Sequence, residues 1–327
     1  MLTTYTIQDF TTRSGYTCDL EVTYQLFGKP LGTAPVVLVT HALTGNSSVT
    51  GPEGWWNALI GPEKAIDTQE YTVLAIDIPG NGYDNHLDHL VTDYKEFHNR
   101  DIAIIHYKVI QELEITTLFA AIGGSLGGQI IWELAIEQPD LIEHLIPVAT
   151  DWKATDWVIA QCSVQEQILT HSDRPIHDAR MHAMTFYRTA ASFTAKFNRS
   201  KNSEKEIYNV QSWLLHHGER LEERFELATY KLMNHLLGSA SIIEGRDEIH
   251  TVFKTIKSTV HLVAIDSDGL FYPEPIHNTH QLLKSVGVQS HYHEIHSIHG
   301  HDAFLIEYDQ LSAIVKPIFS NILCHQL

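Results

Sequence analysis

The sequence is short of positive charge, of cysteine and of long apolar runs. Its 327 residues include 22 lysines and arginines against 40 aspartates and glutamates, which gives a formal net charge of −18. This excess of acid argues against binding to nucleic acids or anionic membranes, because both need basic patches. The 3 cysteines stand far apart, predict neither a disulfide framework nor a zinc site, and are typical of a reducing compartment.

No stretch of the sequence reaches the roughly 18 apolar residues of a membrane-spanning helix. The first residues, Met1–Tyr5, lack the basic and apolar regions of a signal peptide, so we expect a cytoplasmic protein. The 22 histidines include no pair with the HExxH spacing of a metal-binding helix. We expect most of them to be surface or packing residues, and we expect no metal in the functional site.

Short apolar segments alternate with helical patterns in the first and last parts of the chain. Length and periodicity predict strands at 20–24, 35–40, 72–76, 118–122, 142–148, 258–265 and 290–295. Helices are predicted at about 99–113, 129–137 and 308–323. Such alternation is typical of a mostly parallel sheet with crossover helices, which is an α/β fold.

The middle of the chain, from Trp152 to about residue 243, has a different pattern. Strand-like runs disappear, and stretches at 178–193, 203–217 and 221–237 have the spacing of amphipathic helices. We interpret this region as a helical lid inserted into the α/β core. The predicted division is a first core part at 1–151, the lid at 152–245 and a second core part at 246–327.

A serine stands in a glycine-rich turn directly after the predicted strand at 118–122. The segment GGSLGG at 123–128, followed by a helical pattern, has the G-x-S-x-G order of a nucleophile elbow. The tight turn leaves little room for side chains beside the serine and presents its hydroxyl at a helix amino terminus, which favours negative charge. This order predicts the α/β-hydrolase fold and a nucleophilic role for Ser125.

A serine nucleophile needs a histidine base and an acid that orients the base, and in this fold the chain order is serine, acid, histidine. Asp266 and Asp268 both follow the predicted strand at 258–265, so either carboxylate suits the edge of the sheet that carries the serine. His299 and His301 both stand in a polar loop before the last helix. Position and spacing leave both pairs open.

An acyl transfer also needs hydrogen-bond donors for the oxyanion that forms on the carbonyl group. In this fold one donor is the backbone N–H of the residue after the nucleophile, here Leu126. The second comes from a loop after an early strand, which here follows the strand at 35–40. We expect this second donor to be the N–H of Leu43 or of its neighbour Ala42.

Four segments of the sequence closely resemble the homoserine O-acetyltransferases of methionine biosynthesis. They are HALTG at 41–45, GWWNALIGPEKAIDT at 54–68, the elbow at 123–128 and GHDAFL at 300–305, in the family's order. The second segment is more diagnostic than the elbow, because general hydrolase chemistry does not require it. The resemblance implies an acyltransferase without a bound cofactor, which uses acetyl-CoA as co-substrate and L-homoserine as acceptor through an acyl-serine.

The resemblance also implies roles for individual residues. The family's catalytic acid stands one residue before Leu-Phe, which matches Asp268, and its base lies in GHDAFL, which matches His301. The aspartate after the base is associated with the substrate's ammonium group and matches Asp302. An arginine and a tyrosine of the lid that contact substrate match Arg180 and Tyr187. A guanidinium group suits the α-carboxylate, and a carboxylate suits the ammonium group.

Two segments depart from the family pattern. The loop DIPGNGYDNH at 77–86 replaces the family's loop rich in Gly, Ser and Thr, and the lid segment at 216–230 is also altered. These changes concern the surface that binds the acyl donor and the choice of substrate. L-Serine as acceptor, succinyl-CoA as donor, or water as acceptor in an esterase therefore remain alternatives. The family also implies a homodimer formed through the lid helices.

Overall fold

An eight-stranded sheet forms the centre of the protein in the computed structural model, which describes residues 1–320. Its strands in chain order are β1 (Thr3–Thr11), β2 (Thr17–Gly28), β3 (Val36–Thr40), β4 (Thr72–Ile76), β5 (Leu118–Gly124), β6 (Ile142–Val148), β7 (Thr259–Ile265) and β8 (Ser290–Ile295). Their spatial order is β1-β2-β4-β3-β5-β6-β7-β8. β2 pairs antiparallel with β1 and with β4, and the other neighbours pair parallel.

The central strands are buried on both faces. Every residue of β3, β4 and β5 is buried, which explains why these strands read as continuous apolar runs in the sequence. The sequence analysis did not predict β1, because most of its residues are exposed and its threonines give no apolar run. β2 extends further at both ends than the predicted strand at 20–24.

Ten α-helices lie between residues 1 and 320. They are α1 (Asn99–Glu112), α2 (Leu126–Glu137), α3 (Asp156–His171), α4 (Pro175–Tyr187), α5 (Ala190–Phe197), α6 (Asn209–Glu222), α7 (Leu227–Ser239), α8 (Ile249–Phe253), α9 (Pro273–Ser285) and α10 (Tyr308–Ser320). Buried apolar residues form two clusters. Successive residues of β3 point to opposite faces of the sheet and therefore belong to different clusters. Helices and a mostly parallel sheet thus form the α/β arrangement that the sequence predicts.

Helices α3 to α7 lie between β6 and β7, and the three helices predicted there are wrong in their extent. The stretch predicted as one helix at 178–193 consists of α4 and α5, because Thr189 begins a new helix. Its Oγ1 accepts a hydrogen bond from the N–H of Ser192 at 3.0 Å, and such a cap competes with continuation of the preceding helix. The stretch predicted at 203–217 becomes helical only from Asn209, because residues 201–208 form a small hairpin.

The stretch predicted as a helix at 221–237 is also interrupted. α6 ends at Glu222 and α7 begins at Leu227, and between them Phe225 is buried against the ring of Tyr230. A continuous helix would not place Phe225 in this position, so burial of one aromatic ring decides the break. The predicted lid bounds at 152 and 245 stay a prediction.

The end of the chain follows the prediction as far as it is described. The helix predicted at 308–323 is α10 up to Ser320, and positions 321–323 lie outside the described residues. Between residues 1 and 320, none of the helices combines the length and the apolar character that crossing a membrane requires.

Candidate active site

Ser125 lies between the end of β5 and the start of α2, at the carboxyl edge of the parallel strands. Its φ of 53° and ψ of −121° are values that residues with a Cβ atom rarely adopt. The N–H of Ser125 donates a hydrogen bond of 2.9 Å to the carbonyl oxygen of Val148, at the end of β6. The neighbouring strand therefore holds the turn in the sharp form that is typical of a nucleophile elbow.

The glycines around Ser125 allow a close approach between backbones. A Cβ atom on Gly123 would collide with Oγ1 of Thr40 and with the backbone of Gly127. Thr40 donates a hydrogen bond from Oγ1 to the carbonyl oxygen of Gly127 at 2.8 Å. The first turn of α2 consequently packs on the end of β3, and this contact brings the loop after β3 next to the serine.

Ser125, His301 and Asp268 form a continuous line of hydrogen bonds. Oγ of Ser125 lies 2.9 Å from Nε2 of His301, and Nδ1 of His301 lies 2.7 Å from Oδ2 of Asp268. All three side chains are buried. When Nδ1–H donates to the carboxylate, Nε2 can accept the hydroxyl proton, which is the geometry of a serine activated by a general base.

Backbone groups hold the carboxylate of Asp268 in this position. The N–H groups of Leu270 and Phe271 donate to Oδ1 at 2.7 and 2.9 Å, which leaves Oδ2 for the histidine. The rings of Phe271 and Phe304 lie 5.7 and 5.6 Å from the His301 ring. This apolar surround shields the pair from water and strengthens its electrostatic interaction.

The other two candidates from the sequence make different contacts. Asp266 is exposed, and its Oδ1 accepts a hydrogen bond from the N–H of Ser297 at 3.0 Å. Nδ1 of His299 lies 2.9 Å from Nη2 of Arg188, in the lid. The line of hydrogen bonds to the serine therefore runs through the other member of each pair.

Opposing effects set the pKa of His301. Burial lowers this pKa, because a buried imidazolium loses hydration, but the carboxylates of Asp268 and Asp302 raise it more. The net result is a pKa above the ordinary value for histidine. The environment therefore stabilises the imidazolium that would form when the histidine takes a proton.

The backbone donors expected for an oxyanion lie on two elements. Leu126 is the first residue of α2, so its N–H has no acceptor within that helix. Among residues 1–320, the N–H groups of Ala42 and Leu43 have no protein acceptor, while the N–H of Gly45 donates to the carbonyl of Ala42 and closes the turn. Both Ala42 and Leu43 therefore keep a donor available for a ligand.

A buried carboxylate that the sequence analysis missed, Asp77, fixes the loop after β3. Its Oδ1 accepts hydrogen bonds from the N–H of Ser47 at 2.6 Å and from Nδ2 of Asn81 at 2.7 Å. Its Oδ2 accepts from the hydroxyl groups of Ser47 and Thr23, both at 2.7 Å. The segment at 77–86, which departs from the family pattern, thus begins with the residue that joins this loop to β2.

The three residues implied to bind substrate lie beside His301. The Tyr187 ring lies 5.5 Å from the His301 ring, and Cζ of Arg180 lies 5.8 Å from the Tyr187 ring. Burial raises the pKa of Asp302, and the cations of Arg180, His301 and Arg188 reduce this rise. The end of α4 and the loop that carries His301 therefore bring these residues together.

Arg188 is a further residue of the site that sequence reasoning missed. Its Nη1 lies 3.8 Å from Oδ2 of Asp302, and its Nη2 donates to the hydroxyl of Ser192 at 2.7 Å. Its position directly after Tyr187 was the signal that could have identified it. Two guanidinium groups and one carboxylate near the serine suit a ligand with a carboxylate and an ammonium group.

The tryptophan segment at 54–68 lies under the loop that carries His301. Trp56 is fully buried, and its Nε1 donates to the carbonyl oxygen of Phe304 at 3.4 Å. The hydroxyl of Tyr308 donates to the carbonyl oxygen of Trp55 at 3.2 Å. These contacts hold the backbone of the loop that carries His301. The two tryptophans therefore have a structural role in positioning this loop.

Comparisons with known proteins identify the fold and the family of the chain. A profile of the α/β-hydrolase fold matches residues 35–162. The homoserine O-acetyltransferase of Salinibacter ruber is 30% identical over 353 aligned positions, which cover 98% of each chain. The solved structure of homoserine O-acetyltransferase from Bacillus anthracis matches with a TM-score of 0.85 at 19% identity, over 98% of this chain and 97% of its own. Esterase E22 matches with a TM-score of 0.87 at 19% identity, over 98% of this chain and all of its own.

Fold and serine elbow place the protein among the enzymes of the α/β-hydrolase fold, as the sequence predicts. Within that class, the chain belongs to the homoserine O-acetyltransferase family. The resemblance seen in the sequence motifs is therefore confirmed over nearly the whole chain.

Proposed function

We propose that this protein transfers an acetyl group from acetyl-CoA to the hydroxyl of L-homoserine, through an acetyl-serine on Ser125. The observation that carries this proposal is the hydrogen-bonded line from Ser125 through His301 to Asp268, with Arg180 and Asp302 beside it. The line supplies a nucleophile and a base, and the two charged residues supply recognition of an amino acid. We further propose that its product, O-acetyl-L-homoserine, serves methionine biosynthesis in the cytoplasm.

The first step forms the acetyl-enzyme. His301 takes the proton of Ser125 on Nε2 while Oγ attacks the thioester carbonyl, and the N–H groups of Leu126 and Leu43 hold the oxyanion. The carbon–sulfur bond then breaks, and the CoA thiolate leaves with the proton that the imidazolium returns. Asp268 stabilises the imidazolium during both proton transfers.

The second step consumes the acetyl-enzyme. The homoserine hydroxyl attacks the ester carbonyl while its proton passes to Nε2 of His301, and the bond between the acetyl group and Oγ of Ser125 breaks. The proton returns to the serine oxygen as O-acetyl-L-homoserine leaves. Because one substrate leaves its product before the other reacts, ping-pong kinetics are expected.

The charged residues beside the triad favour an amino acid over water as the acceptor. Arg180 suits the α-carboxylate of homoserine, and Asp302 suits its ammonium group. Binding both ends fixes the hydroxyl at the acetyl-enzyme and replaces an encounter in solution by a held geometry. Tyr187, which lies between Arg180 and His301, completes this side of the proposed pocket.

An esterase is the alternative, because esterase E22 matches the fold as closely as the transferase structures do. A thiol-release assay with acetyl-CoA distinguishes the two functions, when it is run with L-homoserine, with L-serine and without an acceptor. The proposal requires sustained CoA release with L-homoserine and slow release without it. Fast release without an acceptor would assign a hydrolase, and release with L-serine alone would change the acceptor. Succinyl-CoA in place of acetyl-CoA tests the acyl donor in the same assay.

The arginine assignment has its own test. Arg180→Ala is expected to raise the homoserine KM about 10- to 100-fold, because a charge-assisted contact to a carboxylate is lost. Acetylation of Ser125 by acetyl-CoA should change far less. Arg220→Ala is the matched control, because Arg220 is an exposed lid arginine that pairs with Glu223 at 2.8 Å. An unchanged homoserine KM in Arg180→Ala would reject the assignment.

A further inference from the structure

His41 stands directly after β3, at the start of the loop that carries Ala42 and Leu43. It opens the segment HALTG at 41–45, of which the proposed mechanism uses only a backbone group. His41 is only 1% exposed. A buried imidazole has to find its hydrogen-bond partners within the protein, so the partners of its two ring nitrogens show what the side chain holds in place.

The partners of His41 fix the position of its ring proton. Nε2 lies 3.0 Å from the backbone nitrogen of Ile78, whose N–H can only donate. Nδ2 of Asn81, another donor, lies 3.5 Å from the same ring nitrogen. Nε2 is therefore the acceptor, and the proton of the neutral ring is on Nδ1. Nδ1–H donates to the carbonyl oxygen of Ala42 at 2.8 Å.

The carbonyl group of Ala42 is held from two sides. Besides the imidazole of His41, the N–H of Gly45 donates to it at 2.8 Å. The peptide bond between Ala42 and Leu43 is trans, so the Leu43 N–H points in the direction opposite to this carbonyl group. The imidazole therefore fixes the direction of the Leu43 N–H without touching it.

The peptide group before it has a different orientation. A Cβ atom on Gly127 would lie 2.7 Å from the carbonyl oxygen of His41, so this oxygen faces the first turn of α2. The N–H of Ala42 belongs to the same trans peptide group and points away from that turn, which begins directly after Ser125. Of the two donors that the sequence left open, this orientation favours the N–H of Leu43.

We propose that His41 is a positioning residue for acyl transfer, because its Nδ1–H holds the Ala42 carbonyl group and so directs the Leu43 N–H at the oxyanion. This inference rests on the proposed function, in which an oxyanion forms beside Ser125. A donor stabilises an oxyanion most when its direction is fixed before the reaction begins. His41 itself gives up no proton and forms no bond to the substrate.

Two substitutions separate the two hydrogen bonds of the ring. In His41→Asn, the amide nitrogen can take the place of Nδ1 and donate to Ala42, but nothing replaces Nε2. In His41→Gln, the longer side chain can accept from the N–H of Ile78 in place of Nε2, but no donor remains at the position of Nδ1. Only the Asn variant keeps the contact that directs the Leu43 N–H.

Acetylation of Ser125 by p-nitrophenyl acetate, followed as the burst of p-nitrophenol, tests the proposal. This step requires neither CoA nor homoserine. His41→Gln should lower the maximal acetylation rate about 10- to 100-fold, and His41→Asn should stay within about threefold of wild type. The ester concentration that gives half the maximal rate should change little in either variant, because the contact acts on the transition state.

His261→Gln is the matched control, because it replaces another buried histidine, close to the amino-terminal end of β7 and outside the site. It should leave the acetylation rate unchanged, whatever it does to the free energy of unfolding in urea. If His41 only stabilised the fold, the acetylation rates of the Asn and Gln variants would instead follow their losses of unfolding free energy.

Gly45→Ala keeps the test decisive if the His41 variants do not fold. Its Cβ atom would lie 2.9 Å from Cβ of His41 and 3.2 Å from the carbonyl oxygen of Ala42, so it displaces the same turn and keeps the imidazole. It should slow acetylation at least about tenfold. The proposal is overturned if His41→Gln is acetylated as fast as wild type, if His41→Asn is as slow as His41→Gln, or if Gly45→Ala has no effect.

Failure of the proposed function would give a different result. In that case the ester would still acetylate Ser125, and the His41 variants would still differ as described. Acetyl-CoA with L-homoserine would then release no CoA from the wild type.

Discussion

At Ser125 the backbone φ of 53° and ψ of −121° impose a cost of about 1–3 kcal/mol on a residue with a Cβ atom. Glycine adopts such values far more easily. We therefore expect the free energy of unfolding, measured by urea denaturation, to be about 1 kcal/mol higher for Ser125→Gly than for Ser125→Ala. Both variants should be inactive, because both lack the hydroxyl. Equal stability of the two would contradict the strain assigned to the elbow.

In the proposed mechanism His301 acts as a base only in its neutral form, so activity is expected to fall as the pH drops through its pKa. The carboxylates of Asp268 and Asp302 raise this pKa in spite of burial, which puts the acid limb of the rate profile above about pH 6.5. Asp302→Asn removes one of these charges and should move the limb to lower pH. The measurement is the pH dependence of Ser125 acetylation by acetyl-CoA without acceptor.

The matched control for that shift is Asp266→Asn, an exposed carboxylate whose Oδ1 accepts from the N–H of Ser297. It should leave the acid limb in place, because Asp266 is not among the groups that raise the pKa of His301. A limb that moves equally in both variants, or in neither, would contradict the electrostatic role of Asp302.

At the scale of elements, the loop after β3 depends on Asp77. Its carboxylate accepts four hydrogen bonds, and an amide at this position would turn an NH₂ group toward a donor. Asp77→Asn should therefore lower the free energy of unfolding by about 2 kcal/mol and slow acetylation of Ser125, because this loop carries Leu43. Urea denaturation and single-turnover CoA release measure the two effects. The exposed Asp88→Asn is the control, and unimpaired acetylation in Asp77→Asn would contradict the role.

The sequence predicts the central strands well and the lid helices less well, for a physical reason. Buried strands such as β3 consist of apolar residues, whichever strands lie beside them. A local apolar run in the sequence is therefore sufficient to predict them. The break between α4 and α5 depends on a cap at Thr189, and the break before α7 depends on burial of Phe225. Such choices between competing local structures are decided by contacts that periodicity does not contain.

The residues of the candidate site also differ in how well the sequence alone predicts them. The elbow at Ser125 is local in sequence, so its position could be predicted from six adjacent residues. Spacing alone could not choose between Asp266 and Asp268, because both follow the same strand and only the fold shows which one faces His301. Asp77 was missed because its partners, on β2 and in the loop after β3, lie far away in sequence.

At the scale of the whole molecule, helix α3 carries large apolar side chains that are partly exposed. Trp157 and Val164 on α3 are 42% and 46% exposed, and they lie on the same side of the helix because they are seven residues apart. We propose that two chains associate through this face. Val164→Arg should shift the protein toward the monomer in sedimentation equilibrium at a fixed concentration, because it places a charge in an apolar contact.

Thr251→Arg, on the exposed side of α8 and outside the lid helices, is the control for that substitution. It should leave the association unchanged. A wild-type protein that sediments as a monomer, or a Val164→Arg variant that sediments like the wild type, would contradict the proposed dimer.

The proposed acetyl group on Ser125 connects all three scales, because in the proposed mechanism the strained residue, the loops that hold it and the lid helices serve this one intermediate. Intact-mass and peptide analysis of the enzyme, mixed with acetyl-CoA and then with L-homoserine, observes it directly. The expected result is one acetyl group on the peptide that contains Ser125, persistent in water and lost on addition of L-homoserine as O-acetyl-L-homoserine forms. Absence of the acetyl group from that peptide, or its loss to water as fast as to L-homoserine, would contradict acyl transfer through Ser125.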